Sequence, residues 1–141
     1  MTIYLDSSAV IRALIGEGDP LQEWGRWDRA YSSELMAVEV RRTIDRLRLE
    51  RALDDEELAD AHHALLTTVR AISLIEITPE VLRRASQPMP TVVKTLDAIH
   101  LASALLFAER TNTDVLFGTH DRSQAIAARA LGFEVVGVST R

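Results

Sequence analysis

Short apolar runs alternate with longer stretches of helical periodicity along this chain, and few folds accept that rhythm. The strand-like runs are Ile3–Leu5, Arg29–Tyr31, Ile72–Ile75, Val115–Phe117 and Val135–Val138. Between them the pattern predicts helices over Ser7–Ile15, Leu21–Trp27, Glu34–Leu49, Asp54–Thr68, Pro79–Ala85, Leu96–Glu109 and Arg122–Leu131. In Glu34–Leu49, the residues Ala37, Val40, Ile44 and Leu47 recur at helical spacing and define a face to bury. Gly132 stands where the last helix needs a left-handed cap. Strands alternating with helices imply an α/β fold, a mostly parallel sheet of roughly five strands covered on both faces. Ligands of such sheets bind beyond the carboxyl ends of the strands, near the point where strand order reverses.

The 141 residues suffice for one domain, expected to span residues 1–141. Apolar residues make up 47% and charged residues 26%, the usage of a folded domain. With no cysteine, disulfides, zinc–thiolate sites and thiol nucleophiles are excluded, so a metal would sit on oxygen or imidazole. Met1 to Asp6 carries no basic region, and no apolar run approaches the ~20 residues of a membrane span. A cytoplasmic location and no membrane association are expected. The formal net charge of −5 by itself argues against a nucleic-acid partner. Against that, Lys94 is the one lysine among 16 basic residues, and arginine is the side chain best suited to phosphate. Arg41, Arg42, Arg46, Arg48 and Arg51 cluster, either as phosphate contacts or as a solvated helix face paired with nearby acids.

Four acids fall where this architecture places ligands. Asp6 closes the first strand, and Asp121 follows the fourth in the run Val115-Leu116-Phe117-Gly118-Thr119-His120-Asp121. Asp97 heads the helix Leu96–Glu109, and Glu39 lies one turn into the helix after the second strand. Carboxylates gathered this way repel one another unless a cation or protons neutralise them, and hard oxygen donors suit Mg²⁺ or Mn²⁺. Each acid also has an ordinary role. Asp6 and Asp121 fit helix N-caps, Asp97 is favoured in a first helical turn, and Glu39 fits a solvated helix face.

The text around these acids resembles the PIN-domain nucleases, in particular the VapC-type toxins of toxin–antitoxin pairs. Ile3-Tyr4-Leu5-Asp6-Ser7-Ser8-Ala9 is similar to the family's opening strand with its first acid. Tyr31-Ser32-Ser33-Glu34-Leu35 followed by Val38-Glu39-Val40-Arg41-Arg42 is similar to the segment with the second acid. There Glu34 competes with Glu39, and Glu39 is preferred because it lies farther into the helix. Thr95-Leu96-Asp97-Ala98-Ile99-His100-Leu101-Ala102-Ser103-Ala104 resembles the third. Thr119-His120-Asp121, with Ala127-Ala128-Arg129-Ala130-Leu131-Gly132-Phe133, resembles the fourth and the closing αβ segment. The resemblance implies a PIN-like three-layer α/β/α fold and a Mg²⁺- or Mn²⁺-dependent endoribonuclease, a hydrolase. Asp6, Glu39, Asp97 and Asp121 would serve as catalytic acids and metal ligands. It also implies a homodimer, an RNA substrate and inhibition by a VapB-like antitoxin.

Ser7 and Thr119 are candidates to hydrogen-bond the metal ligands or a phosphate, or are plain cap residues. His100, one turn after Asp97, is read as a packed histidine, with ligand or proton shuttle as the alternative. His120 is read as structural, and Arg12 either meets a phosphate or partner carboxylate or is solvated. Gly16 and Gly18 form no dinucleotide site, since position 21 is Leu and they follow a helix. Rival readings are a non-catalytic PIN-fold adaptor, a DNA flap nuclease or exonuclease, and a haloacid-dehalogenase-like phosphatase. The last usually needs an acid two residues after the first aspartate, where this chain has Ser8.

Overall fold

The structure is a computed structural model and describes residues 1–16 and 18–139. Five strands form one sheet: β1 (Thr2–Leu5), β2 (Arg29–Ser33), β3 (Ser73–Ile75), β4 (Val115–Gly118) and β5 (Glu134–Val136). Six helices connect and cover them: α1 (Ser7–Ile15), α2 (Glu34–Leu49), α3 (Asp55–Ala71), α4 (Pro79–Ala85), α5 (Thr95–Thr111) and α6 (Arg122–Ala130). Every pairing is parallel and the strand order is β3-β2-β1-β4-β5. The chain builds outward from β1 to β3, then returns to the other side of β1 for β4 and β5. Strand order therefore reverses between β1 and β4, and in open α/β sheets ligands bind beyond the carboxyl ends of the strands at such a point.

Side-chain alternation along β1 divides the core in two. Ile3 and Leu5 face the layer of α1, α2 and α3, where they pack with Val10, Met36, Val40, Ile44 and Leu65. Tyr4 points the opposite way, into Leu101, Ala104, Phe117, Ala127 and Ala128 under α5 and α6. The result is a three-layer α/β/α sandwich. The helix α2 buries Met36, Ala37, Val40, Ile44 and Leu47, so the periodic face of the sequence is the face it packs. No helix among the described residues is long and apolar enough to cross a membrane.

One predicted helix does not form. Leu21–Trp27 is a turn closed by two i→i+3 bonds, Trp24 N to Leu21 O at 3.0 Å and Arg26 N to Glu23 O at 2.9 Å. Gly25 at φ +78° ends it, a backbone conformation that a continuing helix cannot contain. The apolar spacing that mimics a helix instead serves packing, because Leu21 is buried and Trp24 and Trp27 lean on the first core. The last strand is also shorter than predicted and stops at Val136. Gly137 turns the chain at φ +106°, and a Cβ there would overlap the carbonyl oxygen of Thr119.

Candidate active site at the carboxyl edge of the sheet

The backbone brings the first and fourth strand ends together. Asp6 N donates to Gly118 O at 2.9 Å, and Thr119 N donates to Val136 O at 3.0 Å. Asp6 occupies the position before α1, yet its side chain makes no cap bond. It is buried, and its Oδ2 accepts from Thr119 Oγ1 at 2.8 Å and Ser8 Oγ at 3.0 Å. Asp121 does cap its helix, accepting from Gln124 N at 3.2 Å, while its own N–H donates to Thr119 Oγ1 at 3.0 Å. Thr119 therefore ties two of the acids to one hydroxyl. Ser8, where a phosphatase of the rival class would need its acid, instead orients Asp6 and accepts from His120 N at 3.0 Å.

Asp97 enters from the first turn of α5. The buried Gln124 of α6 donates its Nε2 to the Asp97 carbonyl oxygen at 3.0 Å, which locks the two helix starts together. The Asp97 carboxyl is pushed up to about 6, first by burial and then by the negative charges of Asp6 and Asp121. Glu39 adds to this and His100 opposes it. The charges of Asp6 and Asp121, from two other segments, therefore bear on Asp97 at this edge of the sheet.

Glu39 reaches the same edge from α2 and is held by a histidine. His100 is fully buried; its Nε2 lies 2.6 Å from Glu39 Oε1, 2.9 Å from Ser7 Oγ and 3.7 Å from Asp6 Oδ1. Its Nδ1 meets the Tyr4 hydroxyl at 2.7 Å, and Ser7 Oγ donates to Glu39 Oε1 at 2.7 Å. A carboxylate only accepts, and Ser7 uses its proton on Glu39, so Nε2 of His100 must carry a hydrogen. Burial disfavours a charge on this ring, but the hydrogen bond to Glu39 and the charges of Asp6, Glu39 and Asp97 outweigh it and raise its pKa. Burial likewise acts to raise Glu39, and the bond and charge of His100 with the Ser7 hydroxyl hold it below the ordinary carboxylate range. Tyr4, sealed in the core beside Asp6 and Glu39, is raised well above its usual value.

Glu34 lies apart, exposed, and accepts from Ile77 N at 3.1 Å, tethering the loop before α4. Arg12 meets His120 Nδ1 at 3.1 Å, and the same nitrogen lies 3.0 Å from Gly137 O. In the arginine cluster of α2, Arg42 and Arg48 bond Asp45 and Arg46 bonds Glu50, all exposed. Sequence reasoning had no means to see the Tyr4–His100–Glu39 chain, whose members are 96 and 61 residues apart. The one signal available was His100 three residues after Asp97, on the same helical face.

The donors suit a hard cation. They are carboxylate oxygens, and at Asp97 burial and the neighbouring negative charges disfavour the ionised form that a cation would restore. Among the described residues no three acidic or imidazole groups close into a ready-made cage. Mg²⁺ does not require one, since it keeps several waters and commonly takes one or two carboxylates.

Comparisons with known proteins agree with this architecture. A profile of the PIN domain matches residues 3–130. Ribonuclease VapC46 of Mycobacterium tuberculosis (strain ATCC 25618 / H37Rv) is 33% identical over 141 residues, 97% of this chain and 98% of that protein. Ribonuclease VapC45 of Mycobacterium tuberculosis (strain CDC 1551 / Oshkosh) is 31% identical over 137 residues, 94% of this chain and 93% of that protein. A solved structure of a VapBC toxin–antitoxin family member, VapBC-5 from Mycobacterium tuberculosis, superposes with a TM-score of 0.64. It covers 97% of this chain and 98% of that one at 17% identity, a likeness of fold. Because the matched span takes in most of the sequence and every strand but β5, the chain belongs to the PIN domain family.

Proposed function

We propose that this protein is a divalent-metal-dependent endoribonuclease, the toxin of a toxin–antitoxin pair, with Asp6, Glu39, Asp97 and Asp121 as its acids. The observation that carries this reading is the hydrogen-bond network that gathers the acids: Thr119 Oγ1 joins Asp6 to Asp121, Gln124 ties the Asp97 carbonyl to α6, and His100 Nε2 lies between Glu39 and Asp6. Burial and the charges of Asp6 and Asp121 raise the Asp97 carboxyl to about 6. Holding carboxylates together against that repulsion makes chemical sense where a cation joins them. The relatives named as VapC ribonucleases support RNA as the substrate.

Asp6, Asp97 and Asp121, with Glu39 beside them, would hold Mg²⁺ or Mn²⁺. Such an ion supplies Lewis acidity toward a phosphoryl oxygen and a water acidic enough to attack phosphorus. The protein's own contribution is orientation. Thr119 and Ser8 fix the Asp6 carboxylate, and the Thr119 hydroxyl also anchors the backbone of Asp121. Ser7 and His100 fix Glu39. In cation-free protein the Asp97 carboxyl would keep its proton to a higher pH than an ordinary aspartate, because burial and then the charges of Asp6 and Asp121 disfavour its ionised form.

The same electrostatics describe the partners. An antitoxin arginine entering the acid site would replace the cation. Apolar antitoxin residues would lie along the helices near Trp24 and Trp27, which pack edge to face with centroids 5.2 Å apart. A homodimer would gather arginines from two copies around a shared groove, reconciling an acidic protein with an anionic substrate.

The test incubates single-stranded RNA and single-stranded DNA of matched sequence with the protein, in Mg²⁺ and in EDTA. Cleavage of RNA in Mg²⁺ alone is the expected result. Full cleavage in EDTA would contradict the metal site, and preferential cleavage of DNA would contradict the substrate.

A further inference from the structure

Glu39, like Asp6, has one oxygen engaged by two partners, but one of the partners of Glu39 is an imidazole. Its Oε1 takes both the Ser7 hydroxyl at 2.7 Å and the His100 imidazole at 2.6 Å. His100 is itself held from behind by Tyr4, whose hydroxyl meets Nδ1 at 2.7 Å. Tyr4 cannot drift, because it is fully buried in the middle strand of the sheet and its ring stacks on Phe117 with centroids 5.4 Å apart. A rigid strand thus reaches through two side chains to a partly exposed glutamate on a different layer. That glutamate has three side-chain torsions and would otherwise be free to swing. A hydrogen bond from an imidazole nitrogen to a ligand carboxylate fixes which oxygen remains for other partners.

Resting on the nuclease reading above, we propose that His100, backed by Tyr4, is a positioning residue that restricts Glu39 to one oxygen, Oε2, in the acid site. His100, whose two ring nitrogens are taken up by Glu39 with Ser7 and by Tyr4, would act through Glu39. The imidazole and the tyrosine hydroxyl together set where the second acid stands, and Ser7 closes the same contact from the start of α1.

A double-mutant cycle tests this on the full chain, using Tyr4→Phe, Glu39→Gln and the two combined. Tyr4→Phe removes the hydroxyl behind His100 while keeping the ring that packs on Phe117. Two quantities are read: Mn²⁺ affinity of RNA-free protein, by paramagnetic resonance of the free ion, and kcat and KM on single-stranded RNA. Tyr4→Phe should weaken Mn²⁺ binding about threefold and lower kcat about tenfold, with KM changed less than about twofold. In the Glu39→Gln background the same change should alter Mn²⁺ affinity by less than about twofold, because the carboxylate oxygen that it positions for the cation is gone. His100→Gln, which keeps an N–H donor, should retain more Mn²⁺ affinity than His100→Leu. The Mn²⁺ readout stands even where Glu39→Gln cuts too slowly to measure. Additive losses in the double variant would overturn the proposal, as would a Tyr4→Phe protein that melts lower yet keeps wild-type Mn²⁺ affinity and kcat. A wild-type protein that neither binds Mn²⁺ nor cuts RNA would instead remove the nuclease reading, and this inference with it.

Discussion

An aspartate placed before a helix is ordinarily a cap, and at Asp121 the structure shows one, with Gln124 N on its carboxylate. At Asp6 the carboxylate has turned away from its helix toward Thr119 and Ser8. Its hydrogen bonds therefore go to the hydroxyls of Thr119 and Ser8 and not to the backbone of the helix it precedes. Asp97 records the consequence, because its pKa of about 6 when folded lies above the ordinary 3.8. A carboxylate with a raised folded pKa binds its proton more tightly in the native state. In cation-free protein it therefore costs stability in full above pH 6, and that cost fades as pH falls from 6 toward 3.8. Asp97→Asn in EDTA should stabilise the protein by about 1 kcal/mol at pH 8, the side chain's partial exposure discounting the full shift. The gain should shrink toward zero near pH 4, as denaturant titrations at the two pH values will show. At this scale the sequence displays the acids but not their partners. Glu34 and Glu39 are five residues apart on one helix, and only packing sends one to Ile77 and the other to His100.

The elements were easier to read than the contacts between them. Parallel strands are buried on both faces and so appear as short continuous apolar runs, and Asp54, Thr78 and Asp121 cap the helices that follow them. Leu21–Trp27 misleads because its apolar spacing suits a helix, whereas Gly25 requires a turn; a glycine amid helical periodicity was the available warning. Gly137 matters for a different reason. It lets the chain pass against Thr119, the residue whose hydroxyl serves both Asp6 and Asp121. Gly137→Ala should destabilise the fold by about 2 kcal/mol, combining an unfavourable positive φ with a steric overlap. RNA cleavage should fall as well, because Thr119 must move to accommodate the new methyl group. A thermal melt and a cleavage assay on the same preparation check both effects, and unchanged cleavage would show that Thr119 need not hold its place.

On the whole molecule, a net charge of −5 must be reconciled with a polyanionic substrate. The arginines of α2 are partly neutralised by Asp45 and Glu50, but those pairs are exposed and weak enough to yield to phosphate. The combined variant Arg41→Glu and Arg42→Glu should weaken RNA binding more at low salt than at high salt, since the lost contacts are counterion-linked. A loss independent of salt would place RNA elsewhere. The central claim, that the acid cluster at the switch point is a cation-dependent cleaving site built around Asp6, is most directly tested with Asp6→Asn. Asparagine keeps an oxygen for Thr119 and Ser8, so the fold should survive while one charge leaves the cluster. Melting curves with and without Mg²⁺ and an RNA cleavage assay are then compared between variant and wild type. At a tenfold excess over its dissociation constant, Mg²⁺ should raise the wild-type melting temperature by about 4 °C. The variant should show a much smaller shift and no detectable cleavage. An Asp6→Asn protein that cuts RNA at the wild-type rate with the same Mg²⁺ shift would contradict the assignment.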